Sequence, residues 1–98
     1  MVDVVEGDVV RISFKGRLDA TNASEVLKTI SPVLEGLEKD LLLDMSALEY
    51  ISSAGLQVVL HAVKAAQKAG KETQVSSMNA NVREILNISG FLTFLKEV

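Results

Sequence analysis

Leu41–Met45 (LLLDM) is a short run that is apolar on both sides of a strand's alternation, broken only by Asp44. An antiparallel strand with one wet face alternates apolar and polar residues, so such a run belongs to a central strand of a parallel sheet. A parallel neighbour cannot be reached by a tight turn and needs a crossover, usually a helix. The chain supplies one directly. Leu56–Gly70 (LQVVLHAVKAAQKAG) is apolar except at Gln57, His61, Lys64 and Lys68, with Gln67 beside the last. Those polar residues are spaced four, three and four apart, which makes one stripe down a helix whose other faces are buried. Gly70 stands where that helix would stop.

The rest of the chain extends the alternation of strands and helices. Val2 and Val4, then Val10, Ile12 and Phe14, alternate with polar residues on either side of the turn Glu6–Asp8, predicting a hairpin that ends at Gly16. Ala23, Val26, Leu27, Ile30, Leu34 and Leu37 then recur at helical spacing. Asn22 is placed to cap that helix with Glu25 reaching back to it, and Pro32 is expected to kink it. A weaker strand over Glu72–Met78, a short helix capped by Asn79 or Asn81 and stopped at Gly90, and a last strand in Phe91–Val98 complete the reading. The order β-β-α-β-α-β-α-β predicts an α/β fold, a mixed β-sheet packed with helices. At 98 residues, with no linker, repeat or low-complexity tract, residues 1–98 are expected to form one domain.

Several classes of function are excluded or disfavoured. The chain has no cysteine, which removes disulfide and thiolate chemistry, and its single histidine removes a multi-histidine metal site. Net charge is −3 and the ten basic residues are scattered, so there is no basic stripe for nucleic acid. No apolar run approaches the roughly 20 residues of a membrane span, and the acidic N-terminus lacks the form of a signal peptide, so a cytoplasmic protein is expected. No cofactor is expected either, since GLQ after the serines lacks the second glycine and the lysine of a phosphate loop.

The chemistry concentrates at SSAG, residues 52–55, between the central strand and its helix. Ser52 or Ser53 at that position is a natural N-cap, worth roughly 1 kcal/mol. The same unpaired N–H groups and positive helix end also tolerate a phosphate, so a capping serine and a phosphoacceptor are compatible roles. Asp44 is expected at the C-terminal end of the central strand, near the serines, where a dianion would meet like-sign charge from it and from Asp19. A serine nucleophile would need a base in reach, and His61 is roughly 12 Å along the helix from Ser53 by helical rise. No carboxylate pair suggests acid–base catalysis, so an enzyme is not expected.

The segment LLLDMSALEYISSAGLQVVL closely resembles the core motif of the STAS domain family, in particular its bacterial anti-sigma factor antagonists. The shared elements are the apolar strand Leu41–Asp44, the pair Tyr50–Ile51, Ser53, Gly55 and Leu56. GRLDA (Gly16–Ala20) resembles a second family turn, and NISGF (Asn87–Phe91) a third element. The resemblance implies Ser53 as the phosphorylated residue, with Ser52 as second choice, and Asp19, Asp44 and Gly55 as its neighbourhood. It implies an unphosphorylated form that binds an anti-sigma factor with serine kinase activity and so frees a sigma factor. Phosphorylation of Ser53 would release that partner, and a serine phosphatase would reset the domain. Many family members carry Asp before the phosphorylated serine and a hydroxyl after it, where this chain has Ser52 and Ala54. The family's usual final helix is expected to be absent, leaving a flank for weak self-association.

The expected partner surface is Asp19, Thr21, Asn22, Ser52, Ser53, Gln57 and His61. Two alternatives use the same fold. One is a STAS scaffold subunit of a stress-signalling assembly or the cytosolic partner of a transporter. The other is a nucleotide- or lipid-sensing STAS domain.

Overall fold

The computed structural model describes residues 2–98. Strands β1 (Val2–Glu6) and β2 (Val10–Leu18) form the predicted hairpin, followed by helix α1 (Ala23–Leu34), strand β3 (Leu41–Ile51) and helix α2 (Ser53–Lys68). Strand β4 (Thr73–Ser76), helix α3 (Ala80–Ile88), a single 3₁₀ turn over Phe91–Phe94 and the two-residue strand β5 (Lys96–Glu97) complete the chain. The sheet order is β1-β2-β3-β4-β5, with β1 antiparallel to β2 and every other neighbouring pair parallel. This is the predicted α/β architecture, with LLLDM in the central strand.

The core follows one side of the pleat. Val10, Ile12, Phe14 and Leu18 of β2 and Leu41, Leu43 and Met45 of β3 are buried against Val26 and Ile30 of α1 and Val58, Val59, Ala62 and Ala66 of α2. The other side stays open: Asp3, Val5, Arg11, Lys15 and Arg17 are exposed, and Ser13, Leu42, Asp44 and Gln74 are half-buried. The sheet is therefore covered by helices on one face only, and Leu42 is not enclosed as the two-sided apolar run predicts. Charge pairs line this open face, with Arg11 Nε 3.6 Å from Asp44 Oδ2 and Lys15 Nζ 3.6 Å from Asp3 Oδ2. Arg83 on α3 is paired with Glu97.

Four local expectations need correction. Strand β2 does not end at Gly16 but runs two residues further, with Gly16 at φ 73° beside a register shift against β3. Strand β3 is longer than LLLDM because it carries the extra residues of two such irregularities: Ser13 to Lys15 spans Asp44 to Ala47, and Gly16 to Arg17 spans Leu48 to Tyr50. Buried positions therefore fall at Met45, Leu48 and Ile51, three apart rather than two. Asn22 occupies the N-cap position of α1, but its side chain makes no capping bond there. The apolar run FLTF forms a 3₁₀ turn, and only Lys96–Glu97 pairs as strand. Pro32 lies in the last turn of α1, and the helix continues through it to Leu34. Of the two candidate caps for α3, Asn79 takes the role: its Oδ1 accepts from Val82 N at 2.8 Å, and its Nδ2 donates to the Leu48 and Glu49 carbonyls.

Candidate functional site

Two segments meet at the C-terminal edge of the sheet: the turn that leaves β2 and the junction that enters α2. Ser52 N donates to the Leu18 carbonyl at 2.9 Å, continuing the β2–β3 ladder past its last pair, Leu18 and Ile51. The contact is close because residue 55 is glycine. A Cβ there would lie 2.5 Å from Leu18 O, 2.7 Å from Ile51 Cγ1 and 3.0 Å from Leu18 Cγ. SSAG thus seats the first turn of α2 directly on the GRLDA turn.

The two serines separate in role. Ser52 is half-buried and is the N-cap: its Oγ accepts from Gly55 N at 3.4 Å. Ser53 is the first residue of the helix and is exposed, and its hydroxyl makes no hydrogen bond among the described residues. Either serine is a plausible cap by sequence, and the structure assigns that work to Ser52.

On the other side of the junction, Asp19 organises the turn from β2 into α1. Its carboxylate accepts from Thr21 N at 3.0 Å, from the Thr21 hydroxyl, and from Arg17 Nε at 3.3 Å. The Thr21 hydroxyl and N–H, and then Arg17, hold its pKa below the ordinary value of 3.8 against a smaller opposing effect of desolvation. Asn22 completes the turn, accepting from Asp19 N at 3.1 Å and donating to the Arg17 carbonyl at 2.7 Å. That commitment is why it does not cap α1. Arg17 also lies with its guanidinium 4.4 Å from the centre of the Tyr50 ring, the residue it pairs with across the ladder.

The candidate residues divide accordingly. Leu18 brings Asp19, the next residue, to the same edge as Ser52 and Gly55, which meet the Leu18 carbonyl. Thr21 and Asn22 are bonded to Asp19, Ser53 follows Ser52 and is exposed, and Gln57 is exposed one turn further along α2. His61 is exposed but lies elsewhere, lining an open groove of about 680 Å³ with Leu34, Glu35, Leu37 and Lys68 where α1 and α2 end. Asp44 is the clear displacement. It pairs with Ser13, five residues before Leu18, or roughly 17 Å from the junction by strand rise. The extra residues in β3 put it mid-strand rather than at the strand's end. Sequence reasoning missed Arg17 and Tyr50, whose pairing depends on that irregular register.

Asp44 is a structural carboxylate. Ser46 N donates to it at 3.0 Å and Ser13 Oγ at 3.4 Å. Its pKa is lowered from 3.8, first by the Ser46 N–H, then against desolvation by the Ser46 hydroxyl, Arg11 and Ser13. A carboxyl whose folded pKa is depressed contributes stability above its unfolded pKa and loses it as pH falls through the folded one. Asp19 and Asp44 are both of this kind. Melting temperature is therefore expected to be level above about pH 5 and to fall below about pH 4. Asp44→Asn should melt lower at neutral pH and fall less on acidification; parallel acid curves for variant and wild type would remove Asp44 from this account.

Among the described residues no group of His, Cys, Asp and Glu is placed to hold a metal, and no helix is long and apolar enough to cross a membrane. The arrangement is that of a small α/β domain whose distinctive surface is an exposed serine at a strand–helix junction. More particularly, the chain belongs to the STAS domain family, whose model, described as Mlab, STAS domain, matches residues 3–96. BtrV of Bordetella bronchiseptica, named as an anti-sigma factor antagonist, is 32% identical over 92 residues, covering 94% of this chain and 78% of BtrV. The fold is shared with an anti-sigma-factor antagonist (STAS) domain protein from Planctomyces limnophilus, with a TM-score of 0.88 at 18% identity over 99% of this chain and 87% of that one. It is shared too with the unphosphorylated form of the anti-sigma factor antagonist SpoIIAA, with a TM-score of 0.81 at 18% identity over 100% and 86% of the two chains. The phosphorylated form of SpoIIAA, from Bacillus, gives 0.74 at 18% identity over 100% and 89%.

Proposed function

We propose that this domain is an anti-sigma factor antagonist that works by partner switching, with Ser53 as the phosphorylated residue. Unphosphorylated, it binds an anti-sigma factor with serine kinase activity and frees a sigma factor. Phosphorylated on Ser53, it lets that partner go, and a serine phosphatase restores it. The observation that carries this reading is the division of labour at SSAG. Ser52 is occupied as the cap, while the Ser53 hydroxyl is exposed and unengaged at the first turn of a 16-residue helix. Free N–H groups and the positive helix end tolerate the added dianion there without unfolding the domain. A kinase partner seated over the same serine would have to desolvate that charge.

The proposed partner surface is Asp19, Thr21, Asn22, Ser52, Ser53 and Gln57. Mass spectrometry of the peptide covering residues 40–64, isolated from growing and from stressed host cells, tests the reading. Phosphate on Ser53 with an occupancy that changes between conditions is the expected result. An unmodified peptide in every condition, with phosphatases inhibited during lysis, would replace the switch with a constitutive scaffold.

A further inference from the structure

A phosphate on Ser53 would enter an acidic neighbourhood. The turn from Gly16 to Glu25 carries Asp19 and Glu25, and the segment from Ala47 to Leu60 carries Glu49. Across both segments the single cation is Arg17, since α2 has no charged side chain before His61. Asn79 ties α3 to this edge through Leu48 and Glu49, but the one cation of that helix, Arg83, is paired with Glu97.

Arg17 is held in a way that permits exchange. Its side chain is 64% exposed, its guanidinium rests on the Tyr50 ring, and it reaches Asp19 through Nε. Asp19 keeps two donors from Thr21 if Arg17 leaves, so departure does not strand a bare carboxylate. The next residue along, Leu18, accepts the Ser52 N–H, which sets Arg17 beside the chain that leads into Ser53. A phosphate monoester offers three acceptor oxygens and up to two charges, a better match for the planar guanidinium fork than one already satisfied carboxylate.

We propose that Arg17 is the built-in counter-ion of phosphorylated Ser53, leaving Asp19 to pair with the phosphate. This inference rests on Ser53 being the modified residue. Phosphorylation then changes the junction twice over. It adds negative charge at Ser53, and it takes up the one cation carried by the two segments that meet there.

The test is phosphorus NMR titration of protein carrying phosphoserine installed at position 53 during translation, in the wild-type background and with Arg17→Gln. The second phosphate ionisation, ordinarily near pH ~6, is expected to lie lower in the wild type and to rise by about one unit in Arg17→Gln. Lys15→Gln, two residues away on the open face and paired with Asp3, is expected to leave it unchanged. Equal titration with and without Arg17, or an equal rise in Lys15→Gln, would overturn the proposal. Because the phosphoserine is installed during translation, this result does not depend on whether the host modifies Ser53, which the mass spectrum alone decides.

Discussion

Gly55→Ala will destabilise the domain by about 2 kcal/mol, even though the same change in an exposed helix interior stabilises by about 1 kcal/mol. The sign turns on what the new methyl group meets. Its Cβ would stand 2.5 Å from the Leu18 carbonyl oxygen, a backbone atom that already accepts from Ser52 N and cannot withdraw without disturbing the ladder. Ile51 Cγ1 at 2.7 Å closes the other side, and Ile51 is fully buried. The first turn of α2 must therefore lift off β2. For a domain of this size such a loss lowers the melting temperature by roughly 10 °C. Gly7→Ala is the control, because nothing lies within 4 Å of a Cβ there and its φ is not in the left-handed region. Denaturant unfolding of both variants checks the prediction. If Gly55→Ala proves as stable as wild type, helix propensity decides this position and the seating of SSAG on the GRLDA turn is looser than described.

The same junction marks how far the chain can be read without its structure. Regular elements with regular spacing are legible. Val10, Ile12 and Phe14 announce β2, and the four-three-four polar stripe on α2 gives its exposed face residue by residue, since Gln57, His61, Lys64 and Lys68 are all exposed. That α2 is capped at Ser52 or Ser53 and α3 at Asn79 or Asn81 is readable because capping is a local event, and the structure chooses Ser52 and Asn79. What escapes is non-local. The extra residues in β3 place Met45, Leu48 and Ile51 in the core at three-residue intervals, a spacing that does not look like a strand. Asp44 consequently looks closer to Ser53 than it is. Asn22 has the sequence of a cap, but its side chain is already committed to Asp19 and Arg17. The stacking of Arg17 on Tyr50 requires knowing which residues face each other across the irregular ladder.

Phosphoserine at position 53 is expected to weaken binding to the proposed anti-sigma factor kinase by about thirtyfold or more, with the domain itself remaining folded. The two halves of this prediction have separate causes. Within the domain, the phosphate sits at the start of a long helix, where a negative charge stabilises by about 0.3–1 kcal/mol, so the melting temperature should hold or rise slightly. At the interface, the phosphate must be desolvated with only the single charge of Arg17 to meet up to two of its own, and a buried charge left incompletely compensated costs about 2–5 kcal/mol, which is roughly thirtyfold to several-thousandfold in affinity. Ser53→Ala should bind in all conditions, because it removes the acceptor and leaves Ser52 as the cap. Ser53→Asp should fall between the two, since a carboxylate brings one charge where phosphate brings about 1.5 to 2. Calorimetric titration of the kinase with the four forms, alongside their thermal melts, separates the causes. Equal affinity of the phosphorylated and unphosphorylated forms would end the partner-switch reading. Lost affinity accompanied by a collapsed melting temperature would instead mean that the phosphate acts by unfolding the junction, and the helix N-terminus would not be the tolerant site its geometry describes.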